Sequence, residues 1–293
     1  QIELEKQGTI SLEWLPDTVT EFCISNRKFK GTLDCGKLPK SLEIFSVGEN
    51  RLTGEFHVSK LPEGILCFDA PYNLLSGILD LQKAPQWLDY LCLEGNRLCG
   101  DLVIGRKVPI KILMFGFNDF DCTIDLTSLP FDTEVCECGN NGHHGTADLT
   151  ALPVYLQQLD VSSNKFEGSI DLTQLPATLT ILCASDNTFS GTIDVSDLPP
   201  DFEHLFIDRN RLSGDLDITH FPDTMSVAHF EKNAFDGTLT VGNLPDTLDS
   251  LFLTENNFCT KRLFENGTHT RSDRVFADFF REGQFAALKT EDE

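Results

Sequence analysis

Apolar and polar positions recur along this chain with a period near 23 residues. Proline stands at 16, 39, 62 and 85, and again at 130, 153, 176, 199, 222 and 245, in most cases 23 residues apart. Counted from each proline, apolar residues fall at about +3, +6 and +8, Asn at +11, Phe or Leu at +13, Gly at +15, and Ile or Leu at +17. Within LxxLxL the apolar side chains alternate, which predicts a short strand with +6 and +8 on a buried face and +5, +7 and +9 on the other. A lone unit of this size cannot bury its apolar face, whereas stacked units make one continuous core with parallel strands. The pattern predicts about ten and a half repeats within residues 1–258, the clear copies covering roughly residues 8 to 258.

The +11 column holds Asn50, Asn73, Asn96, Asn141, Asn164, Asn187, Asn210, Asn233 and Asn256. Asn118 joins them when its unit is counted from Lys107, because Pro109 breaks step. The first unit has Arg27 in that slot, with Asn26 one place early. After each strand the chain must turn, and the buried backbone groups of the turn need partners. A carboxamide supplies two donors and an acceptor. The asparagines are therefore expected to form a structural ladder of buried amides.

As written here, LxxLxLxxNxF resembles the leucine-rich repeat superfamily. The continuation FxGxI, in "FEGSIDL", "FSGTIDV" and "LSGDLDI", is similar to the plant-specific class, although Asp stands where that class places proline and the proline follows later as "LP". The "LPxxL" element is also similar to bacterial LPX-type repeats, whose units are shorter and lack GxI. The resemblance implies a curved, horseshoe-like solenoid, dominated by β structure, with a concave parallel sheet and short convex strands or 3-10 turns. It implies protein recognition without naming a partner. The plant-like class is mostly extracellular, which leans the compartment toward the cell surface.

Composition changes this picture little. The 293 residues include 46 acidic and 23 basic side chains, a formal net charge of −23. That balance argues against nucleic acid and anionic membranes, both of which need basic patches. It fits a solvated acidic coat or a basic partner. No run approaches the length of a membrane span. Because Gly8 already fills the +15 slot, the chain opens within a repeat, and upstream residues are expected in the natural protein. From Cys259 the period stops. Residues 259–293 read as a C-terminal cap, with a short amphipathic helix over 272–288 started by Ser272, and an acidic tail. One glycosylation sequon begins at Asn266.

Candidate chemistry is sparse. Asp34, Asp80, Asp125, Asp148, Asp171, Asp194 and Asp217 recur at +18. Each either bonds a backbone amide of its own turn or contributes to a charged rail. Cys136, Cys138 and His143 fall on inward positions of one unit, with His144 adjacent. They are zinc-ligand types in a non-standard spacing, or small fillers of a thinly packed coil. No metal or cofactor is assigned. Cys99 and Cys122 occupy nearly the same turn of successive units and could bridge, as could Cys67 and Cys92 diagonally. The +7 column is acidic at Glu137 and Asp160 and then turns aromatic, with Phe206, His229 and Phe252 from three successive units flanked by His204 and Arg209. Aromatics on an open strand face have no core to explain them, and they dominate binding hot spots. Either a partner or the C-terminal helix is expected to cover them. The leading expectation is a non-enzymatic module binding a protein or peptide on the concave sheet. The alternatives are a structural subunit of a larger assembly, or the repeat region of a protein with an effector domain elsewhere.

Overall fold

The computed structural model describes residues 8–263. The sequon at Asn266 and the expected helix over 272–288 lie outside the described residues. Two compact units are formed: residues up to Gly145 together with Leu152–Lys165, and Thr146–Ala151 together with residues from Phe166 on.

In the first unit, Glu21–Cys23, Ile44–Ser46, Cys67–Asp69, Tyr90–Cys92, Ile112–Met114, Val135–Glu137 and Gln158–Asp160 pair in parallel, each with the next. In the second unit, Ile181–Cys183, His204–Phe206, Val227–His229 and Ser250–Phe252 do the same. The register joins equivalent repeat positions, so Asp69 stands opposite Cys92 and Phe206 opposite His229. The irregular proline has a structural counterpart: Tyr90 pairs with Ile112, which makes that coil one residue shorter than its neighbours.

The alternation sends +6 and +8 inward. Phe45, Val47, Phe68, Ala70, Leu91 and Leu93 are fully buried in the first unit, and Leu205, Ile207, Ala228 and Phe230 in the second. Each large apolar side chain so buried contributes about 1.5–3 kcal/mol. Phe22, Phe45 and Phe68 stack through successive coils, with ring centroids 5.8 and 5.3 Å apart.

On the far side of each coil the chain forms a second strand or a 3-10 turn, as expected. Arg51–Glu55, Leu74–Asp80 and Arg97–Val103 pair in the first unit. Leu216–Ile218, Thr238–Val241 and Thr260–Leu263 pair in the second. Cys35–Lys37, Val58–Lys60, Leu81–Lys83 and Leu126–Ser128 are 3-10 turns. Gly54 shows why +15 is glycine. Its φ is +128°, and a Cβ there would lie 2.2 Å from the Leu33 carbonyl oxygen.

The asparagines make the expected ladder. Asn96 Oδ1 accepts the Leu75 N–H at 3.0 Å, while Nδ2 donates to the carbonyls of Ala70, Leu93 and Glu94 at 2.9, 3.0 and 3.2 Å. Asn118 joins through Leu98 N–H at 2.9 Å, which confirms its shifted register. Asn50, Asn73, Asn141 and Asn164 repeat the arrangement in the first unit. Asn187, Asn210, Asn233 and Asn256 repeat it in the second. The residue before each Asn takes a left-handed conformation, with φ of 51–56° at Glu49, Tyr72, Phe117, Ser163, Arg209 and Lys232 among others. That turn aims the carboxamide inward.

Candidate functional site

The +7 and +9 side chains form the open face of each parallel sheet. In the second unit this face carries a run of rings. His204 and Phe206 have centroids 6.1 Å apart, Phe206 and His229 are 4.9 Å apart at 87°, and His229 and Phe252 are 4.6 Å apart at 78°. Edge-to-face packing of this kind is favourable for aromatic quadrupoles. His204, Phe206 and His229 are half-buried, and Phe252 is 43% exposed. Arg209 borders the run, with Nε 3.4 Å from Asp208 Oδ2 and Nη1 3.7 Å from Asp186 Oδ2.

The first unit presents a different surface. Asp69, Glu94, Glu137 and Asp160 lie on or beside its open face. Burial raises the Glu137 carboxyl above its usual range, with Asp160 and then Glu94 adding to the shift. Asp160 Oδ1 accepts the Ser162 N–H at 2.7 Å. The Cys67 and Cys92 thiols are pushed up to about 11 and about 12, chiefly by burial. They are therefore protonated at neutral pH and poor nucleophiles.

Among the described residues no disulfide joins the cysteines. Cys92 stands opposite Asp69 and Cys67 opposite Tyr90, so the two thiols are diagonal neighbours. Cys99 and Cys122, which by position could bridge, are not joined: Cys99 is exposed, and Cys122 Sγ lies 3.7 Å from His143 Nδ1 in the following coil.

Cys136, Cys138 and His143 are fully buried, as their positions predict. They do not converge as a ligand set: His143 instead stacks on Phe120 at 5.8 Å and 15°, with Phe115 edge-on at 6.1 Å. Its Nδ1 is 3.1 Å from the Cys122 carbonyl oxygen. Burial lowers its pKa, opposed by the Cys122 carbonyl and helped by His144. His143 is thus a core ring in the slot that Phe fills elsewhere.

The periodic aspartates are turn caps. Asp34, Asp125, Asp148, Asp171, Asp194 and Asp217 each accept the backbone N–H two residues on, at 2.9–3.0 Å. Asp80 pairs with Lys83 at 2.7 Å instead.

Two features lie outside the +7 column. Asp208 and Glu231, both at +9, approach His229 closely enough that the three could ligate one ion. On the first unit, Trp87, Phe131, Val154 and Tyr155, just after the prolines, are all more than half exposed, with Trp87 at 59%. The signal for the first feature was available, since H-x-E at 229–231 puts both side chains on one face of a strand.

No known family profile and no curated protein matches this sequence. Solved structures do. The leucine-rich repeat ectodomain of the Arabidopsis receptor kinase HAESA, in complex with the IDA peptide hormone ligand, is 20% identical at a TM-score of 0.61, covering 88% of this chain and 52% of its own. This chain has the leucine-rich repeat fold. Its leucine-rich repeat coils are also similar to the functional domain of InlJ from Listeria monocytogenes, at 20% identity and TM-score 0.63, covering 84% of this chain and 54% of that one. A plant ice-binding protein matches at 17% identity and TM-score 0.52, covering 90% and 81%. The chain spans about half the length of the receptor ectodomain and of InlJ.

Proposed function

We propose that these leucine-rich repeats form a non-enzymatic recognition module that binds a protein or peptide on the concave sheet. Phe206, His229 and Phe252 are its anchors, with His204 and Arg209 at the border. Glu137 and Asp160, on the first unit, read basic groups of a partner. The observation that carries this reading is the run of rings across three successive strands, which packs against itself on the open face rather than into the core. Rigid aromatics bordered by Arg supply large contact area at small entropic cost. The peptide hormone bound by the HAESA ectodomain shows that this fold can take such a ligand.

Peptides selected from a random displayed library on the full chain provide the probe. The double variant F206A/F252A is expected to bind them at least about tenfold more weakly, about 1.4 kcal/mol. The variant W87A, an exposed ring on the first unit, is expected to bind them as the natural chain does. Equal affinity for F206A/F252A and the natural chain would refute the site.

A further inference from the structure

The geometry points to a divalent transition-metal site built from Asp208, His229 and Glu231 on the open face of the second unit. One ligating atom from each residue lies within 4.8 Å of the other two, and no other set of three His, Cys, Asp or Glu side chains among the described residues meets that condition. The repeat explains how they meet. His229 and Glu231 are two apart on one strand and its extension, so they share a face. Asp208 occupies the place of Glu231 one coil earlier, because Phe206 pairs with His229 and the Arg209 N–H donates to the Glu231 carbonyl at 2.9 Å.

A second observation separates this set from an ordinary acidic patch. Glu231 Oε2 is buried and has no hydrogen-bond partner. Asp208 is only 9% exposed. An unpaired buried carboxylate oxygen is costly, and a coordinated cation removes that cost. The imidazole is held in place from both sides by Phe206 and Phe252, and Ser250 Oγ lies 3.4 Å from its Nε2. Hydroxyls and packing of this kind orient a ligating ring.

The ligand set selects the ion. One imidazole with two carboxylates suits zinc, cobalt or nickel, whereas calcium and magnesium prefer oxygen alone. Two carboxylates balance a divalent charge. Three protein ligands leave at least one coordination position open. Arg209 competes for Asp208 but also reaches Asp186, so it has an alternative carboxylate when the ion enters. Lys232 is engaged by Glu255 at 3.4 Å. The site rests on these side chains and not on the recognition reading.

Titration of the full chain with cobalt(II), followed by visible absorption and by competition with zinc, tests this. The expected result is one equivalent bound without a sulfur-to-cobalt charge-transfer band. E231Q and H229Q are each expected to weaken binding by at least about tenfold. E231Q changes one oxygen to an amide nitrogen and guards against a folding artefact in H229Q. W87A on the first unit is expected to keep the metal and E231Q is expected to keep the selected peptides, so failure of this site and failure of the peptide site are distinguishable. Three results would overturn the proposal: no stoichiometric binding, binding by E231Q equal to that of the natural chain, or binding only with the sulfur band that the exposed Cys23, Cys99 and Cys259 would produce.

Discussion

The side-chain oxygen of Asn73 accepts the backbone N–H of Leu52, one coil earlier, at 3.0 Å. The same carboxamide donates to the carbonyls of Val47, Ala70 and Pro71 at 3.0, 3.3 and 3.1 Å. One side chain thus closes its own turn and ties it to the turn before. Replacing it with alanine orphans a buried N–H and several carbonyls, which costs about 2–3 kcal/mol. Asn73→Asp keeps the acceptor but turns a carboxylate toward three carbonyls. It is expected to cost more than alanine at neutral pH and less in acid, measured by urea unfolding.

At Gly54 the backbone excludes any side chain. Gly54→Ala would push a Cβ into the Leu33 carbonyl and hold a left-handed conformation that L-residues rarely adopt. The loss is expected to exceed about 1–2 kcal/mol, the cost of the conformation alone. Gly64, where a Cβ would meet nothing within 4 Å, should tolerate alanine. Thermal unfolding of the two variants makes the comparison.

His143 gives a pH dependence of known sign. Its native pKa is lowered by burial, so the unfolded chain takes up a proton first as pH falls. The associated stability is present above the ordinary His range near about pH 6.5 and is lost as pH falls through the lowered native value. His143→Phe removes this loss and preserves the stack on Phe120. Its stability relative to the natural chain should rise as pH drops from neutral, read from denaturant midpoints at several pH values.

Glu137 works in the opposite direction. Burial, then Asp160 and Glu94, raise its native pKa, so the folded chain holds a proton that the unfolded chain releases. Its favourable contribution is full below the ordinary Glu range and is lost as pH rises through the raised value. Glu137→Gln is therefore expected to stabilise the protein at neutral pH, with the gain shrinking in acid. Calorimetric melting at two pH values would show it.

Most of the architecture was legible because a repeat is a statement about spacing. The Asn column, the inward +6 and +8 positions and the turn-capping aspartates follow from where residues fall, whatever the partner is. Asn118 was recoverable only by counting from Lys107, and the structure shows why: its coil is shorter by one residue. Cys136, Cys138 and His143 were ambiguous because inward position does not fix ring direction, and His143 turns to stack on Phe120. The left-handed turn at Glu49, Tyr72 and Phe117 carries no glycine signal, so composition hides it. The meeting of Asp208 and Glu231, at +9, with His229, at +7, joins two columns, which either column read alone does not display.

The account turns on the open face of the parallel sheet as the place where a partner sits. Photochemical carbene footprinting of the full chain, with and without a library-selected peptide, measures this most directly. The account predicts that Phe206, His229 and Phe252 lose labelling when the peptide is bound while Trp87, Tyr155 and the capping aspartates keep theirs. Protection at Trp87 and Tyr155 or along Asp171, Asp194 and Asp217, with the ring run still labelled, would contradict it.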